Sequence, residues 1–134
     1  MGAWGTGLFE NDEAMDFAAD VVERGGLQLV EDVLEELVDL ADDFVEASEG
    51  EQVLVAAEIV AALAGRPAAD YPDELAEWLD GQEMAPDDAL IDIARRAVQR
   101  VLTEPSDLLE LWEQAGDDEY AEWRAGAEAL IARL

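Results

Sequence analysis

Apolar residues recur along this chain at intervals of three and four, the spacing that gives a helix one buried face. Asn11 is a good N-cap, and Asp12 and Glu13 suit the positive end of a helix dipole. Ala14, Phe17, Ala18, Val21 and Val22 then form a stripe that predicts a first helix, stopped at Gly25-Gly26. A second stripe, Leu27, Val30, Val33, Leu34, Leu37, Leu40, Ala41, Phe44 and Val45, predicts a helix from about Leu27 to Ala47. Ser48 with Glu51 reads as a capping box for a third helix. Its run from Val53 to Ala64 is apolar nearly all round, which predicts a central, covered position before Gly65 and Pro67 end it. Pro72 and Gly81 bracket a short helix, and Pro86 opens a longer one with Leu90, Ile91, Ala94, Val98, Val101 and Leu102 inward. After Pro105-Ser106 come Leu108, Leu109, Leu111 and Trp112, and Gly116-Asp117 begins a last helix through Trp123 to Leu134.

No segment alternates with the period of a strand. The expectation is an all-α single compact bundle of six or seven helices. It forms one domain over residues 1–134, with residues 1–10 as a Gly-rich, aromatic lead-in docked on it. No basic segment followed by an apolar run opens the chain, and no run approaches the roughly 20 apolar residues of a membrane span. A cytoplasmic protein is expected, without membrane attachment.

Charge narrows the chemistry. Against 35 Asp and Glu stand 7 basic residues, a formal net charge of -28, and the chain has no His and no Cys. Every basic residue is an Arg. Disulfides, thiol nucleophiles, His-based triads and zinc sites of the Cys/His type are therefore excluded. Repulsion at this charge density opposes direct binding to nucleic acid or anionic lipid and favours basic proteins or cations. Without His, Cys or Lys the catalytic repertoire is thin; an enzyme is not expected, and no cofactor is implied.

The predicted second helix carries the densest charge: Glu31, Asp32, Glu35, Glu36, Asp39, Asp42, Asp43 and Glu46. As one helix these residues make nine like-charge pairs at spacings of three or four. At about 0.2–0.5 kcal/mol each, the face forfeits on the order of 2–4 kcal/mol at low salt. Packing, screening, bound cations or a basic partner must offset that. Glu31, Glu35, Glu36, Asp39, Asp42, Asp43 and Glu46 are the candidate partner-binding residues. Asp12, Asp16 and Asp20, stacked at intervals of four, are the candidate cation ligands, although no segment matches a calcium-binding loop. Asp92 is placed to pair with Arg95 and Arg96, and Glu104 with Arg100, which accounts for the basic cluster without a ligand.

The opening run Met1-Gly2-Ala3-Trp4-Gly5-Thr6-Gly7-Leu8-Phe9-Glu10-Asn11-Asp12-Glu13-Ala14-Met15-Asp16-Phe17 resembles the start of the domain of unknown function 4259 family, small bacterial proteins without an assigned activity. The resemblance continues through Ala56 to Pro67, Ser106 to Glu113 and the closing Trp123 helix. It implies a stand-alone bacterial domain and carries over no catalytic residue, cofactor or partner. Trp4, Gly5, Gly7, Phe9, Asn11, Asp12 and Asp16 are its motif positions. Loop anchoring, N-capping and dipole neutralisation account for most of them.

Three functional readings stay open. One is a non-catalytic interaction module whose acidic surface binds a basic protein. In another the acidity adapts the protein to a salty host and has no charge-based function. The third is a carboxylate-based divalent-cation binder. A homo-oligomer is compatible with each, since helix faces such as Trp112/Trp123 either pack internally or form a dimer.

Overall fold

Asn11 opens the first helix as its residue type predicts: its Oδ1 accepts the Ala14 N–H at 2.7 Å. In the computed structural model, which describes residues 7–40, 43–67, 71–82 and 85–134, this is α1, Asp12–Asp20. It passes directly into a π-helical turn, Val21–Gly25. Gly26, at φ +53°, then turns the chain into α2, Gly26–Asp39. The central helix α3 is Ala47–Leu63, followed by α4, Asp73–Asp80, and α5, Asp88–Val101. A hairpin of α6, Asp107–Ala115, and α7, Asp117–Arg133, completes the bundle. Among the described residues there are seven α-helices and no strand, an all-α architecture.

The apolar run of α3 has the central place its composition predicts. Every residue from Val53 to Val60 is buried, and α3 touches each of the other six helices. Around it α1, α2, α5 and α7 each turn one stripe inward: Phe17, Leu34, Val98 and Leu130 are all buried. Gly50 lets α6 approach closely, since a Cβ there would stand 3.0 Å from Leu108 Cδ2. Trp112 and Trp123 stack within the chain, 5.9 Å apart and 13° from parallel, and both are buried. That stack belongs to the α6–α7 core.

Two expectations about the second and third helices are corrected. The second helix ends at Asp39, well short of Ala47, so Phe44 leaves the predicted buried face and is half exposed. Val45 is buried by another route, a parallel bridge to Ser106. Its N–H donates to the Pro105 carbonyl (3.2 Å), and its carbonyl accepts the Asp107 N–H (2.8 Å). Arg100 closes the same junction, donating to the carbonyls of Asp43 (2.7 Å), Thr103 (2.7 Å) and Pro105 (3.2 Å). Stopping at Asp39 also takes the like-charge pairs that reach Asp43 and Glu46 out of helical spacing, which relieves part of the repulsion. The third helix is capped by Glu46 and Glu49, not by Ser48 and Glu51. The Glu46 N–H donates to Glu49 Oε1 at 3.1 Å, while Glu51 turns into the interior.

Two helical glycines predict opposite responses. A Cβ at Gly126 on α7 meets nothing within 4 Å. Gly126→Ala is therefore expected to stabilise by about 0.5–1 kcal/mol through helix propensity. Gly50→Val forces branches against Leu108 and is expected to destabilise by roughly 1–3 kcal/mol. Urea unfolding of the two variants checks both signs.

Candidate functional site

Within the apolar run of α3 sits one ionisable side chain, Glu58, whose side chain is only 1% exposed. A carboxylate there must be paired and hydrogen-bonded to remain charged. Arg133, in the last turn of α7, meets it with a two-pronged ion pair: Nη1 to Oε1 at 2.8 Å and Nη2 to Oε2 at 2.7 Å. The Tyr71 hydroxyl donates to Oε1 at 2.8 Å. The Arg133 Nη1 also donates to the Arg66 carbonyl at 3.2 Å, so the chain leaving α3 is tied to the end of α7. Hydrogen bonding to Glu58 raises the Arg133 pKa above its ordinary value and keeps the guanidinium charged.

This polar group forms one side of a cavity of about 570 Å³. The other walls are mostly apolar: Leu8 and Phe9 from the lead-in, Met15 from α1, Pro72, and Gly126 and Ala129 from α7, with Glu10 the one further charged residue among them. Phe9 meets Tyr71 edge to face, with ring centroids 5.8 Å apart. The lead-in is held by a local turn, in which the Gly7 N–H donates to Glu10 Oε1 at 3.0 Å.

A second buried carboxylate lies where α1 meets α3. Burial pushes the Glu51 pKa from 4.5 up to about 7; a hydrogen bond with Asn11 opposes the shift, and the Glu13 charge adds to it. Glu13 in turn accepts from Gln52 Nε2 at 2.7 Å. Asn11, itself buried, thus caps α1 and also meets Glu51.

The residues singled out in the sequence scatter around these features. Of the motif positions, Phe9 and Gly7 line the cavity and Asn11 caps α1; Trp4 and Gly5 lie outside the described residues. Asp12, Asp16 and Asp20 are exposed along α1, and Asp20 pairs with Arg24 at 3.9 Å. Among the described residues no three carboxylates converge closely enough to hold a metal ion. Glu35, Glu36 and Asp39 are exposed on α2, Glu31 is half-buried, Asp43 and Glu46 are exposed beyond its end, and Asp42 lies outside the described residues. Asp92 pairs with Arg95 (3.7 Å) and Arg96 (3.5 Å), as their spacing predicts. Glu58, Arg133, Tyr71 and the buried role of Glu51 went unread. Glu58 did carry a signal, as the lone charge inside an apolar run.

The architecture and its cavity define a small helical bundle with an internal ion pair beside a ligand-sized pocket. The chain belongs to the family described as Domain of unknown function (DUF4259), which matches residues 2–126. No curated protein and no solved structure matches it. Among the described residues no helix is long and apolar enough to cross a membrane.

Two measurements test these electrostatics. Arg133→Met leaves Glu58 without its counter-charge and is expected to destabilise by about 3–5 kcal/mol, whereas the double variant Glu58→Leu/Arg133→Met recovers most of that loss. Urea unfolding of the single and double variants reads the difference. For Glu51, the folded protein holds a proton that the unfolded chain has released between pH 4.5 and about 7. Stability contributed by this group is present below pH 4.5 and is lost as pH rises to about 7, roughly 3 kcal/mol in all. Relative to wild type, Glu51→Gln should therefore gain stability across that window and no further above it.

Proposed function

We propose that the chain acts as a single-domain, non-catalytic interaction module of the cytoplasm, docking a basic protein through its acidic surface. The observation that carries this reading is the division of labour among charges. Three of the seven arginines serve the fold: Arg133 neutralises Glu58, Arg100 binds backbone carbonyls, and Arg95 bonds to the Leu134 carbonyl as well as pairing with Asp92. The carboxylates of Glu35, Glu36, Asp39, Asp43 and Glu46 are left on the exterior. In a protein of net charge -28 such a surface accelerates encounter with a cationic partner and repels nucleic acid.

The test compares two sets of charge removals on the full chain, each immobilised and exposed to host lysate, with bound material eluted by a salt gradient. One set is Glu35→Gln, Glu36→Gln, Asp39→Asn and Asp43→Asn; the control set is Asp118→Asn, Glu119→Gln and Glu122→Gln on α7. A single basic protein in stoichiometric amount, released as salt rises and lost only with the first set, is the expected result. A diffuse basic background weakened equally by both sets assigns the acidity to adaptation to a salty host. A rise in melting temperature specific to divalent cations at fixed ionic strength assigns it to cation binding, with Asp12, Asp16 and Asp20 as the first ligands to substitute.

A further inference from the structure

We propose that the cavity beside Glu58 and Arg133 is a binding site for an uncharged, largely apolar small molecule carrying one hydrogen-bond acceptor, such as an ester or ketone carbonyl. Its volume of about 570 Å³ falls in the range of pockets that enclose small organic ligands. Its walls of Leu8, Phe9, Met15, Pro72 and Ala129 offer dispersion contact, with Glu10 the one charged side chain away from the Glu58–Arg133 end.

The polar end selects the head group. The Glu58 side chain is 1% exposed and its oxygens accept from Arg133 and Tyr71, so the carboxylate is committed within the protein. The Arg133 side chain is 26% exposed and lines the same cavity. A guanidinium has five N–H donors, and the bonds to Glu58, the Arg66 carbonyl and Tyr71 leave capacity for one more acceptor. That acceptor is uncharged, because Glu58 already matches the arginine charge and a net charge of -28 opposes a second anion. An amine would meet the Arg133 guanidinium at this end, and the Glu10 carboxylate, which also lines the cavity, is engaged by the Gly7 N–H.

Gly126 is the independent observation. It lies mid-helix in α7, where glycine is unfavourable, and no turn requires it. A Cβ there would meet no atom within 4 Å, so no packed neighbour requires it either. Gly126 lines the cavity beside Ala129, on the exposed side of α7.

The uncharged dye Nile red, whose fluorescence rises in apolar surroundings, probes the full-length protein. Three ligands with ten carbons each then compete for the site: methyl nonanoate, decanoate and decylamine. Saturable dye binding is expected, with methyl nonanoate displacing the dye at a concentration about tenfold below either charged analogue. Gly126→Leu and Ala129→Leu each fill the cavity from α7; whichever remains folded by circular dichroism should bind dye and ester about tenfold more weakly. The proposal is overturned if the dye does not saturate, if decanoate or decylamine competes as well as the ester, or if a folded filling variant binds as wild type does.

Discussion

A carboxylate inside an apolar helix imposes the constraint on which much of this bundle depends. Glu58 sits where α3 is covered on all sides, so water cannot solvate it and the protein must supply a counter-charge. Arg133 supplies it from the far end of the chain, and the fork geometry of a guanidinium on a carboxylate leaves little freedom in how α7 lies against α3. Tyr71 joins the same oxygen from the segment before α4. The lead-in follows through the contact of Phe9 with Tyr71. One buried charge therefore organises elements from Phe9 to Arg133, and the cavity is the space left where they meet.

The same logic governs the distribution of charge. A chain with five times as many acidic as basic residues leaves most of its carboxylates without an arginine, and two of its arginines go where the alternative is an unsatisfied interior or loop. Arg133 answers a buried carboxylate; Arg100 satisfies carbonyls where the segments around Val45 and Ser106 meet. Apart from the buried Glu51 and Glu58, acidic residues such as Glu35, Glu36 and Asp39 remain outside, where solvent and salt screen them. The end of α2 at Asp39 belongs to this economy, since a helix continued to Ala47 would stack more like charges along one face.

Much of the architecture was legible in the periodicity. The central place of α3 followed from an apolar run with no polar side, and the helix start at Asn11 followed from a side chain that accepts a backbone N–H group. The failures share one cause. The stripe through Phe44 and Val45 fits a helix, but Val45 gains more from the bridge to Ser106, a partner about sixty residues away that no local pattern reveals. Ser48 and Glu51 fit a capping box, yet Glu46 and Glu49 make it, because Glu51 faces α1. The acidic residues drew notice by number, whereas the cavity is built from apolar side chains and a single ion pair that composition hides.

By itself the sequence determined the helical class, the absence of thiol and imidazole chemistry, the acidic exterior and the helix that had to be buried. These are consequences of local spacing and residue inventory, which do not depend on where the chain later travels. Only the tertiary structure decided that Glu58 belongs to Arg133, that Trp112 stacks on Trp123 within the chain, and that Phe9 and Gly126 face one cavity. Those choices join residues far apart in sequence. They are set by the competition among all the helices for the surface of α3, and that competition is resolved only when the whole bundle packs.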